Sequence, residues 1–457
     1  MNKDLTQGKP FSILWRFVVP MLISVVFQQF YNIADSVIAG RFINQNALSA
    51  IGASYPITML FMQVANGFNA GCAVIISQTF GAKKRPHLKC AVSTSVISAS
   101  VLSLILTAGG VILCRPILLQ LDTPADILND SQIYLNIYFY GMFFMFIYNT
   151  CNGIFTALGD SKTPLYFLIF SSIFNVILST LFVTVVDFGL AGIAWATFIA
   201  QGIAAILSFI VLMRRIHRMN LVRTHKIPKF SPKTLRKLTL VSVPAILQSS
   251  FVSVGNIMVQ AVINSMGAAA VAGFSVGFRL NVFAITSMGT AANGVASFTA
   301  QNIGAQKLDR VPRGFKAGLM LEIIIVLPFV LAFVIAPQFF TALFMDNGNA
   351  VTQTAAEAAA LIEAMNISSF FVRVCAPFYL ILATKLVCDC ILRGAGSMKT
   401  FMIATFVDLL LRVIMVYALN PFIGEYSLCI GWITGWTISS VLSMVFYKQG
   451  RWKRHAI

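Results

Sequence analysis

The sequence predicts an all-α polytopic membrane protein whose twelve transmembrane helices form two parallel six-helix repeats. Three observations carry this. Of 457 residues, 58% are hydrophobic and only 11% charged, and mean hydropathy is +0.83; soluble domains carry about 25% charge and need more polar surface than this chain supplies. Predominantly apolar stretches long enough to cross a bilayer recur twelve times. The second six echo the first six in order and spacing.

The spans in order are 12–36, 49–79, 90–113, 131–157, 163–185 and 191–213, then 238–264, 275–301, 315–337, 365–392, 400–420 and 427–447. The first is too long for a signal-peptide core and lacks an A-x-A-like end, so it reads as a retained span. It holds Pro20, which removes a helical hydrogen bond, and Asp35, a carboxylate that needs a partner at membrane depth. The second span ends SQTFGAK (77–83) and the fourth ends in GIFTALGDSKT (153–163).

Basic residues orient the spans. With both termini cytoplasmic, 27 of the 33 lysines and arginines fall in inside segments. Asp122, Asp126, Asp130, Asp187, Asp346, Glu357, Glu363 and Glu425 fall outside. The basic clusters are therefore a topology signal and not a continuous nucleic-acid patch. The longest divides the chain into a six-helix bundle at 1–213, a cytoplasmic linker at 214–237 and a second bundle at 238–457.

The repeat is direct. Pro20 and Asn32 match Pro244 and Asn256 at an offset of 224; SQTFGAK matches AQNIGAQ (300–306); GIFTALGDSKT matches CILRGAGSMKT (390–400), and Trp195 matches Trp432, both at 237. Six spans per half start both halves on the same side, a recurring plan in secondary transporters.

Enzymatic chemistry is not visible. No metal-ligand spacing and no catalytic motif occurs, and the four histidines lie in basic segments, so no catalytic residue, metal or cofactor is expected. GAGSMKT lacks the spacing of a phosphate-binding loop and reads as a turn at a helix end. The eight cysteines read as small buried hydrophobes.

The intramembrane polar residues are the candidates. Asp35 corresponds to Val259, so the acid breaks the repeat while the proline obeys it. Gln28, Tyr31, Asn32 and Asp35 share one helical face; in span seven Asn256 matches Asn32, and Gln248 and Gln260 are further polar residues. These are candidate cavity-lining positions. Asp408 and Arg412, four apart, read first as a neutralising pair, as do Lys385 and Asp389. Glu322 is expected to snorkel to the inner surface, and Arg279 and Arg373 to reach headgroups or close a gate. Methionine and aromatic side chains would suit a promiscuous site for lipophilic cations.

The P-x14-D first helix ending IADSVIAGR, the GAK and LGDSKTP turns and GxAxAT at 192–197 together resemble the MATE family of multidrug and toxin extrusion antiporters. The resemblance spans essentially the whole chain. It implies a V-shaped pair of six-helix lobes alternating between outward-open and inward-facing states, and export of organic cations against protons or sodium. It implies that the first helix bends at Pro20 and that Asp35 couples to the ion. The family's ion site adds an N-x-x-x-D pair in span five and a threonine in span six. Here Asn175 and Thr197 match, but Ser179 replaces the acid. One carboxylate balances one monovalent charge, so proton coupling is favoured over sodium.

The expected protein is thus a monomeric, multi-pass transporter of the bacterial inner membrane, working on small lipophilic cations within the lipid bilayer and not on nucleic acid. Two other readings stand beside it: a flippase of lipid-linked saccharides, which would want a more basic cavity, and a membrane sensor or enzyme without transport.

Overall fold

The computed structural model describes residues 4–42, 45–121, 123–219, 228–345, 355–450 and 452–453, and among these all side chains but those of 31–37, 39–42, 45–49 and 355–357. The described residues form helices and no strand. The first half gives α1 (Pro10–Phe42), α2 (Gln45–Gly81), α3 (Arg85–Gln120), α4 (Ala125–Ala157), α5 (Lys162–Thr184) and α6 (Gly189–Arg218). The second gives α7 (Pro232–Ser265), α8 (Ala268–Gly304), α9 (Arg310–Ile335), the short α10 (Pro337–Ala342), α11 (Ala355–Cys375), α12 (Tyr379–Gly394), α13 (Met398–Ile423) and α14 (Tyr426–Lys448).

Eleven segments among the described residues are long and apolar enough to cross a membrane. The expected fourth span, α4, has 33 residues, about 50 Å of helix. Its asparagines and tyrosines lower its hydropathy, and it packs against α2, α3 and α6. Span ten is not one regular helix: α11 and α12 are joined by a 3₁₀ turn at Ala376–Phe378, where Pro377 has no N–H to donate. Helix lengths reproduce the repeat. α1 and α7 have 33 and 34 residues and each contains its proline, while α2 and α8 have 37 each.

By compactness the chain divides into two units, one of residues 1–7, 16–249 and 300–306 and the other of residues 8–15, 250–299 and 307–457. The first has a core of Phe68, Phe139, Phe146, Phe155 and aliphatic residues from α2, α3, α4 and α6. The second is built on Phe274, Phe371, Tyr379, Trp432 and Trp436.

Inside the first unit the two repeat-related helix ends cross. A Cβ on Gly81 would lie 2.0 Å from the Gln301 carbonyl oxygen, and one on Gly304 would lie 2.0 Å from that of Gln78. Only glycine allows backbone against backbone here. Leu5, fully buried although near the amino terminus, donates its N–H to Gln301 Oε1 at 3.0 Å, and Gln301 Nε2 donates to the Ala157 carbonyl at 2.8 Å.

The matched turns are helix ends, as expected. Gly159 and Gly396 take φ of +77° and +81°, and the following amides close back on Phe155 and Leu392 at 2.9 Å each, a glycine-terminated helix motif. They differ at the next residue, Asp160 against Ser397. Asp160 accepts hydrogen bonds from the Lys162 and Thr163 amides at 3.0 and 3.1 Å and from the Thr163 hydroxyl at 2.7 Å. It is also paired with Arg215 of α6.

Burial alone would raise the Asp160 pKa, but the Thr163 and Arg215 hydrogen bonds outweigh it and hold the carboxyl below its ordinary value. A depressed folded pKa adds stability above the unfolded value, about 3.9, and that stability is lost as pH falls through the folded one. Asp160→Asn is therefore expected to lower stability at neutral pH by about 2 kcal/mol, with the difference from the parent shrinking below about pH 4. Thermal unfolding of detergent-purified protein across pH checks this; a deficit constant down to acid pH would contradict it.

Candidate functional site

The first site begins with the lipid-facing logic of α5. Tyr166, Phe170, Ile173, Ile177 and Leu181 are exposed, whereas Ser172, Asn175, Ser179 and Val183 are buried. Their three- and four-residue spacing makes one inward stripe, because polar groups have no partners in hydrocarbon and turn to the protein. α6 meets this stripe with small residues, Gly192, Ala194, Ala196 and Ala200, all buried, which lets the helices approach.

The three residues expected beside Asp35 are brought together. Ser179, fully buried, donates its hydroxyl to Asn175 Oδ1 at 3.2 Å. Asn175, 2% exposed, donates Nδ2–H to Thr197 Oγ1 at 3.0 Å. Thr197, having accepted, retains a hydroxyl proton to donate. It also lines a cleft between α4 and α6 with Tyr134, Tyr138, Met145, Phe198 and Gln201. Aromatic faces and a thioether stand beside a polar relay, a chemistry suited to an organic cation.

Asp35, Tyr31 and Asn32 have side chains outside the described residues. Their helix is placed by Ile38, one turn beyond position 35, which packs in a buried cluster with Val183 of α5 and Ile193 of α6. α1 runs unbroken through buried Pro20, whose carbonyl accepts the Ser24 hydroxyl at 3.0 Å. Gln28 and Asn256 are exposed, and Gln248 and Gln260 half-buried. Gln260 donates to Asn264 at 2.9 Å.

The second site lies in the other unit and is larger than the sequence suggested. Lys385 donates to Asp389 at 2.9 Å and Arg412 to Asp408 at 3.2 Å, the two expected four-apart pairs. They are not separate. Lys385 Nζ also lies 3.7 Å from Asp408, Ser443 donates to Asp389 at 2.5 Å, and the Arg412 guanidinium stacks 3.7 Å over the Trp432 ring. Two cations and two anions thus form one buried, charge-balanced network across α12, α13 and α14. Sequence spacing shows pairs on one helix; the joining contact, between residues on different helices, leaves no such trace.

The expectation for Glu322 is overturned. It does not snorkel: it is fully buried in α9, a short carboxylate arm on the protein-facing side of a helix whose lipid side is taken by Met320, Ile323, Ile324 and Leu327.

Comparison with known proteins follows the same lines. The family model described as MatE matches residues 20–181 and 244–418, one match in each half of the repeat. The chain is 27% identical over 451 residues to the probable multidrug resistance protein YpnP of Bacillus subtilis (strain 168), covering 98% of this chain and 97% of that one. It is 31% identical over 333 residues to the probable multidrug resistance protein YoeA of the same organism, covering 70% and 71%. Among solved structures, a MOP superfamily transporter from Pyrococcus furiosus Vc1 superposes with a TM-score of 0.88 at 18% identity, covering 98% of this chain and 97% of that one.

Proposed function

Because the chain belongs to the MatE family, we propose that it is a multidrug efflux transporter that exports lipophilic cations in exchange for protons by alternating access. The observation that carries this is the Ser179–Asn175–Thr197 relay beside an aromatic cleft, in a chain similar over nearly its full length to a relative named a probable multidrug resistance protein. A multi-pass membrane protein of this kind works as a transporter and not through catalytic groups. In this reading it lies in the bacterial inner membrane with both termini cytoplasmic, acting as a monomer.

Proton coupling is supported by charge count. The relay offers three neutral oxygens and no second carboxylate, so Asp35 is left to balance a single charge. A hydroxyl in place of a second carboxylate weakens the hold on a sodium ion more than it weakens protonation of the carboxyl that remains.

Reconstituted vesicles test the reading. An imposed pH gradient, acid inside, is expected to drive accumulation of a fluorescent lipophilic cation, and a sodium gradient alone is expected to drive none. Accumulation that follows sodium and ignores pH would overturn the proton assignment; no transport of any cation would overturn the function.

A further inference from the structure

Glu322 is fully buried, and neither carboxylate oxygen has a hydrogen-bond partner among the described residues. The Ala292 backbone N–H is the polar group that bears on it. One turn earlier, Gly318 lets Val295 of α8 and Val387 of α12 close on α9, and further along the helix Val326, Val330 and Phe333 enter the apolar core. From α8 the side chains that close on α9 here are apolar, Val295 at Gly318 and Phe298 at Gly314. From α12 the titratable neighbour is Cys390, which lies within electrostatic reach of Glu322, Asp389 and Arg393.

The nearby cations are already committed. Lys385 serves Asp389 and Asp408, Arg412 serves Asp408, and Arg393 is hydrogen-bonded to Asn293 and reaches Cys390 Sγ at 3.3 Å. Since the four-charge network balances by itself, none of its cations is left for Glu322, and Arg393, held by Asn293 and Cys390, forms no ion pair with it among the described residues. An ionised carboxylate without a partner is strongly disfavoured in an apolar interior, and taking up a proton removes that penalty. As scaffold, an acid here is worse than the leucine it could have been.

We propose that Glu322 is a second proton-binding carboxyl, in the carboxy-terminal unit and separate from Asp35. It is loaded in the conformation described here and releases its proton towards the end of the bundle that bears the basic segment Lys307, Arg310, Arg313 and Lys316. Cys390 and half-buried Arg393 supply the polar route: the thiol stands between the carboxyl and a guanidinium at the helix end. The bond broken is the Glu322 O–H, the proton passes to water, and the carboxylate that remains is stabilised only when water or Arg393 reaches it. This rests on the proton-antiport reading above.

The test counts protons moved per cation exported in vesicles holding intact protein, Glu322→Gln or Asp35→Asn. Glutamine has nearly the shape of the neutral acid, so Glu322→Gln is expected to accumulate and melt like the parent. It should still carry cation down its own gradient but move one proton fewer per cation. If intact protein ignores the pH gradient, the antiport reading itself falls. If intact protein is proton-driven and Glu322→Gln keeps the parent stoichiometry, only the present proposal falls, and Glu322 is a packing acid. Should Glu322→Gln not accumulate, the infrared band of protonated carboxyls in intact protein decides: partial loss on raising pH with substrate present is expected, and an unchanged band overturns the proposal.

Discussion

Asp35→Asn is expected to cut pH-driven export of lipophilic cations at least about tenfold, the equivalent of 1.4 kcal/mol in the coupled step. Asparagine keeps the size and hydrogen-bonding reach of the side chain and removes its ability to exchange a proton. The repeat gives the reason to expect specificity. Pro20 is mirrored by Pro244 and belongs to the shared frame, whereas Asp35 is mirrored by Val259, which is 1% exposed in the apolar core of the second unit. One half uses this position for packing and the other holds an acid that packing does not require. Ser179, Asn175 and Thr197 bond to one another among the described residues, and none of them carries a carboxyl that could replace the lost one. Dye efflux in cells lacking their own pumps reads the effect, with Asp35→Glu expected to retain most of the activity. Efflux by Asp35→Asn equal to the parent would remove Asp35 from the mechanism.

Asp408→Ala is expected to destabilise the protein by about 3–5 kcal/mol, the usual cost of removing one partner from a buried ion pair. Asp408 is the anion shared by Lys385 and Arg412. Without it two buried cations face the single carboxylate of Asp389, and Arg412 keeps only the Trp432 ring. Converting the pair together, as Asp408→Leu with Arg412→Met, is expected to recover most of the loss, because Lys385 and Asp389 then remain balanced and no bare charge is left. Thermal unfolding in detergent compares the three proteins. If Asp408→Ala melts with the parent, the network contributes little and its buried charges are there for another purpose.

Much of the architecture was legible beforehand because hydropathy, helical period and proline placement act locally. The spans, the matched prolines and the glycine turns after α4 and α12 follow from residues within a few positions of one another. So do the four-apart pairs Lys385–Asp389 and Asp408–Arg412. The places where expectation and structure part are those where helices distant in sequence choose their neighbours. Span ten breaks at Pro377 into two helices. Glu322 looked able to reach an inner surface from its position along α9, but the rotation of that helix turns it to the interior.

For this protein, composition, periodicity and the internal repeat predicted twelve spans and singled out Asp35, while the resemblance carried by its motifs implied Asn175, Ser179 and Thr197 beside it. The tertiary structure decided which polar groups satisfy one another. It joined Asn175 to Thr197 across α5 and α6, merged two charge pairs through Lys385 and Asp408, and left Glu322 without a side-chain partner among the described residues. The physical reason is that a segment in an apolar medium must bond its own backbone, which any one helix does unaided. A buried side-chain donor or acceptor finds its partner on whichever helix packs against it, and that neighbour is a property of the assembled bundle.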